Sequence, residues 1–177
     1  QFHIALGIWR SNWNYRKLVI CQAMLFIGGA AAPFYAIYVQ KELGGSAVWI
    51  GVYIGVMMAA NILSNLLSGW LSRRSGNRKV VVLGTGAGVT VSLLMLALTL
   101  LAKPLGLSPQ VASICLLPVF ALQGLRVNAV GISSPSLMLD LVPEAERSLM
   151  LGFTQTMMGI IILLTMLVGL VVDMAGY

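Results

Sequence analysis

Charge is what this sequence has least of. Only 9% of its 177 residues are Asp, Glu, Lys or Arg, against about 25% in soluble domains, too little polarity to coat a water-facing surface. Acids are scarcer still, five against eleven bases, and none falls inside a long apolar stretch. There is a single histidine, His3, and it lies near the start of the chain. Without a histidine base at depth, the serine of Gly131-Ile-Ser133 has nothing to activate it, so its likeness to a nucleophile motif is a coincidence of spacing. The two cysteines, Cys21 and Cys115, fall near opposite ends of their helices, too far apart to bridge. No cluster of metal ligands or cofactor motif is left; Gly84-Thr-Gly86-Ala-Gly88 copies a phosphate loop but lies inside an apolar run with no strand before it. The opening also lacks a secretory signal, with its charged start, short apolar core and small-residue cleavage site. It begins at Gln1 rather than methionine, as a mature product or an excised fragment would. The net charge of +6 would suit nucleic acid if the cations lined one soluble face. They sit instead between apolar runs, which excludes that partner.

What is present is apolar length. Hydrophobic residues make up 59% of the chain, and charge-free runs cover residues 18–40, 43–72, 80–102, 104–125 and 148–172. Each has at least 22 residues, where about 20 suffice to cross the hydrocarbon as a helix. Helices satisfy their own backbone in lipid, and the period-2 alternation of barrel strands is absent. The expected fold is an all-α integral membrane bundle of about five transmembrane helices over residues 14–177. The helices are placed near 15–40, 46–73, 79–102, 110–141 and 146–173, after a cytoplasmic linker over 1–13.

The breaks between runs set the orientation. They are Lys41-Glu42-Leu43-Gly44-Gly45, Arg73–Lys79, Lys103-Pro104 and Pro143–Arg147. With the amino terminus inside, the cytoplasmic side holds Arg10, Arg16, Lys17, Arg73, Arg74, Arg78, Lys79 and Arg147, and the outer side only Lys41 and Lys103. The positive-inside rule selects that arrangement, in the cell membrane, with Tyr177 outside after five crossings. Trp13, Trp49 and Trp70 lie near run ends, where indoles favour the headgroup zone.

Polarity inside the runs is uneven. The third helix carries only threonine, serine and glycine as breaks and can face lipid. The fourth holds Gln123, Arg126 and Asn128. Arg126 lies roughly 22 Å along a helix starting near Val111, past the centre of a core about 30 Å thick but still inside it. A central arginine costs at least about 2.5–3.5 kcal/mol on insertion scales, so it should face protein or water. Helical spacing gives one stripe of Gln123, Arg126, Val130, Ser133 and Ser134, and another of Gly124, Asn128, Gly131 and Pro135, small enough for close helix contact. The Arg126 stripe either lines an aqueous cavity or pairs with a carboxylate or carbonyl as packing. Asn61, Ser64, Asn65, Ser68 and Ser72 share a face of the second helix, suited first to interhelical hydrogen bonds. Gly51 and Gly55 form a GxxxG there. Gln22 and Tyr35 in the first helix and Gln155 in the fifth are further candidates for a substrate cavity; Pro33 should bend the first helix.

Gly69-Trp-Leu71-Ser-Arg73-Arg74-Ser-Gly76-Asn77-Arg78-Lys79 resembles the signature turn of the major facilitator superfamily, G-x-L-A-D-R-x-G-R-K. Gly69, Leu71, Arg74, Gly76 and Arg78 match it, and Arg73 stands where the family has an acid. Gly124…Gly131…Pro135…Asp140-Leu-Val-Pro143-Glu144-Ala-Glu-Arg147…Gly152 is similar to the family's fourth helix, turn and fifth helix, and Gly169…Asp173…Gly176-Tyr177 to the approach to a sixth.

The resemblance implies five helices of one six-helix half. The degenerate turn points to the C-terminal half, with the first half as the alternative. It further implies alternating access around a midplane site, with the first and fourth helices of the half lining the cavity and the third outside. The expected function is secondary active or facilitative transport of a small solute, with no enzymatic activity. The expected partners are that solute, the bilayer and the remaining helices of the same transporter. Arg126 favours an anionic solute unless a carboxylate elsewhere in the transporter neutralises it. A membrane scaffold or receptor-like protein with the same fold is the competing reading.

Overall fold

The computed structural model describes residues 2–29, 31–43, 46–102 and 104–174, and their elements are helical throughout. Gly44, Gly45, Lys103, Gly176 and Tyr177 lie outside the described residues, as do the side chains of His3, Pro33, Glu42 and Asp173. The chain forms two compact units, Gln1–Ala30 with Ser134–Tyr177, and Ala31–Ser133.

The first unit is built on large side chains. Helices α1 (Phe2–Ser11) and α2 (Trp13–Gly29) meet at Asn12. Asn12 Oδ1 accepts the Tyr15 N–H at 3.0 Å, satisfying one of the donors a helix start leaves orphaned. Its Nδ2 donates to the carbonyl of Leu141 at 3.0 Å, at the end of α7 (Leu117–Leu141). Pro143 then opens a single 3₁₀ turn, and α8 (Arg147–Met174) follows. Arg147 Nε donates to the Leu139 carbonyl at 3.1 Å, and its guanidinium pairs with exposed Glu144 at 3.3 Å. The core gathers Tyr15, Leu18, Val19, Met138, Val142, Met150, Phe153 and Met158. Trp9 of α1 closes it, edge-on to Tyr15 at 5.9 Å and tilted against Phe153 at 6.2 Å.

The second unit holds α3 (Ala32–Leu43), α4 (Val48–Ser75), α5 (Asn77–Leu101), α6 (Pro109–Cys115) and α7 as far as Ser133. Gly76 joins α4 to α5 with φ +81°, a backbone state that suits glycine, and its N–H closes α4 on the Ser72 carbonyl at 2.9 Å. Ser72 donates to Asn77 across the turn. Ser108 caps α6, accepting the Val111 N–H, and Pro109 takes the first helical position, where a missing N–H is harmless. Tyr53 lies flat on Phe120, rings 4.7 Å apart and 2° from parallel, and donates its hydroxyl to the Ser113 carbonyl at 3.1 Å. The buried residues of α5 are Val80, Val81, Gly84, Ala87, Val91, Met95 and Leu98, and from Val81 onward they recur every three or four positions. Leu93, Leu96 and Leu100 between them stay exposed, a surface suited to lipid.

Four stretches among the described residues are long and apolar enough to cross a membrane: α4, α5, Pro109–Leu141 and Glu144–Leu164. The first apolar run is carried by α2, of 17 residues, and α3, of 12. An uninterrupted helix would need an N–H at residue 33 for the carbonyl of Gly29, where α2 stops. Proline has none.

Candidate functional site

The second unit brings the two polar faces of α4 and α7 together. Asn128 Nδ2 donates to Asn61 Oδ1 at 2.8 Å, and Ser64 Oγ donates to the Leu125 carbonyl at 3.2 Å. The helices come this near because position 124 has no side chain. A Cβ there would overlap the Met57 carbonyl oxygen and approach Ala60 Cβ and Asn61 N to 3.1 Å. Gly84 of α5 does the same on another side of α7, where an added Cβ would meet Ala129 Cβ and Val130 Cγ2 at 2.9 Å. Asn128 Oδ1 is buried with no hydrogen-bond partner among the described residues, so there the amide pair contributes one bond and leaves one acceptor unused.

Three of the five cavity candidates fall in this unit. Gln123 is buried and Arg126 half-buried one turn further along α7. The Arg126 guanidinium and the Tyr35 phenol of α3 are electrostatic neighbours. Tyr35 also packs against the apolar cluster around Tyr53 and Phe120. Gln22, buried, and Gln155, exposed, belong to the other unit. Thr154, next to Gln155, is packing: its hydroxyl meets that of Tyr15 and donates to the Met150 carbonyl at 2.9 Å, with Met138 Sδ at 3.2 Å.

The signature turn lies at the surface. Gly69, Arg73, Arg74, Gly76 and Arg78 are exposed and Leu71 is half-buried. The Arg74 guanidinium sits 5.4 Å from the Trp70 ring centroid, within cation–π range. Gly69 has open space where its Cβ would be. Gly51 and Gly55 are likewise open, so the close approach their spacing suggests occurs instead at Gly124 and Gly84. Asn61 and Asn128 each stand out as polar residues in apolar helices, but no spacing within one helix can pair them across two. Tyr15 gives no signal beyond being aromatic near a run end. Among the described residues no group of three His, Cys, Asp or Glu could hold a metal.

A family model described as Major Facilitator Superfamily matches residues 18–177. No curated protein and no solved structure matches the chain. The match runs through all five apolar runs and both motif turns, and on it the chain belongs to the Major Facilitator Superfamily, as a multi-pass, non-enzymatic membrane protein of a family that transports small solutes.

Proposed function

We propose that the chain contributes five helices of the C-terminal half of a transporter that moves an anionic or carboxylate-bearing solute by alternating access. Arg126 is the solute-facing cation. Gln123 and Tyr35 act as its neutral hydrogen-bonding neighbours. The observation that carries this reading is Arg126 at membrane depth, beside Tyr35 and one turn from buried Gln123. Arg73 in the acid's place supports the C-terminal half. The cation imbalance across the breaks supports a cytoplasmic amino end in the cell membrane.

The test is uptake by the full-length transporter in proteoliposomes, over a panel of carboxylates and their neutral amides. Arg126→Gln should lower uptake of the transported carboxylate about ten- to hundred-fold, as loss of a charge-assisted hydrogen bond would. Unchanged affinity and flux would overturn the role of Arg126. Tight solute binding with no flux would favour the scaffold reading.

A further inference from the structure

We propose that Asn61 is a positioning residue for the solute site: through Asn128 it fixes the rotation of α7 about its own axis, and so the direction in which Gln123 and Arg126 leave that helix. The inference rests on the reading of those two residues as solute-facing.

Three contacts tie one face of α7 to α4. They are the Asn61–Asn128 amide bond at 2.8 Å, the Ser64–Leu125 carbonyl bond at 3.2 Å, and the approach of Gly124 to the Met57 carbonyl. Gly124 and Asn128 are about one turn apart and share that face. At about 100° per residue, Arg126 leaves the helix about 160° around from Asn128, and Gln123 about 140°. Holding the α4 face therefore aims the opposite one. A slip of one residue, about 100°, would turn both away from where they now point.

Apolar contacts are poor at preventing such a slip, because burial of leucine against leucine or lipid is non-directional. Gly124 supplies a steric key. Its neighbours Gln123 and Leu125 cannot take its place against Met57 without driving a side chain into backbone. The amide pair supplies the directional key. Both asparagines lie well inside their helices, and Asn128 is buried, where water offers little competition for the bond. Hydrogen bonds between membrane helices are worth about three-fold in a population ratio on average and up to about eighteen-fold. That is enough to decide between rotational states that packing leaves close in energy.

The experiment uses the full-length transporter with its native cysteines replaced by alanine. Single cysteines are placed in turn at positions 122, 123, 125, 126 and 127, and the rate of modification by a small, cationic, membrane-impermeant methanethiosulfonate is measured. With Asn61 in place the rate should peak at 123 and 126. Asn61→Leu should reduce the contrast between those positions and their neighbours by about three- to eighteen-fold. Asn61→Asp keeps an oxygen for the Asn128 donor and should restore the contrast. An unchanged peak in Asn61→Leu overturns the positioning role and leaves the solute-facing reading standing. No peak at 123 and 126 in the parent overturns the solute-facing reading and this inference with it. If gel filtration shows Asn61→Leu to be misfolded, Asn61→Ala replaces it, and the same two outcomes decide.

Discussion

Around Tyr15 the helices meet through large side chains, whereas around Gly124 they meet through the lack of one. In the first unit a fully buried tyrosine ring touches Trp9, and its hydroxyl meets Thr154 and the Met150 carbonyl. Each hydroxyl has one proton to give. Tyr15 donating to Thr154 leaves the threonine proton free for Met150, 2.9 Å away, so the pair is satisfied. In the second unit backbone approaches backbone at Gly124 and Gly84, and amides and hydroxyls bridge the short gap. The contrast follows from the solvent. Lipid gives apolar surface little reason to leave it, so membrane helices associate by close packing and polar bonds rather than by hydrophobic burial. Where a soluble-like aromatic cluster forms, bulk serves; along the α4–α7 contact, absence of bulk does.

The two regions should therefore fail in opposite ways. Tyr15→Ala removes a fully buried ring, and large-to-small changes of this kind cost about 3–5 kcal/mol. It should produce the largest drop in melting temperature of the detergent-solubilised protein. Gly124→Ala adds a single methyl, and overpacking costs about 1–3 kcal/mol. The upper end is expected here, because the obstructing atom is the Met57 carbonyl oxygen rather than a movable side chain. A mild effect of Tyr15→Ala together with a neutral Gly124→Ala would break the comparison on both sides.

Sequence alone carries the fold class a long way, because the run length that marks a membrane helix is a one-dimensional property. It also separates α7 into its two stripes, since residues such as Gly124 and Asn128 share a face by helical period alone. It does not show that Asn61 on α4 is the amide that Asn128 meets, because that choice depends on the relative register of two helices. Pro33 marks a disturbance in the first run, because it has no N–H to give the carbonyl four residues earlier, and the described helices on either side are α2 and α3. The GxxxG at Gly51 and Gly55 shows the limit most plainly. The motif reports that a backbone can be approached, not that anything approaches it.

That limit gives the smallest expected effect. Gly51 and Gly55 lie on the exposed side of α4, and a Cβ at either would have nothing within 4 Å among the described residues. Gly55→Ala thus adds no clash. It also removes the entropic penalty of glycine in a helix, about 0.5–1 kcal/mol relative to alanine. The melting temperature should stay level or rise slightly, opposite in sign to Gly124→Ala though the chemical change is identical. Measuring both variants in the full-length transporter makes the pair a probe of contact rather than of helix propensity, since propensity acts equally on each. A fall at Gly55 matching that at Gly124 would mean that a helix beyond these residues closes on this face. Close packing by small residues would then extend along α4 beyond its contact with α7.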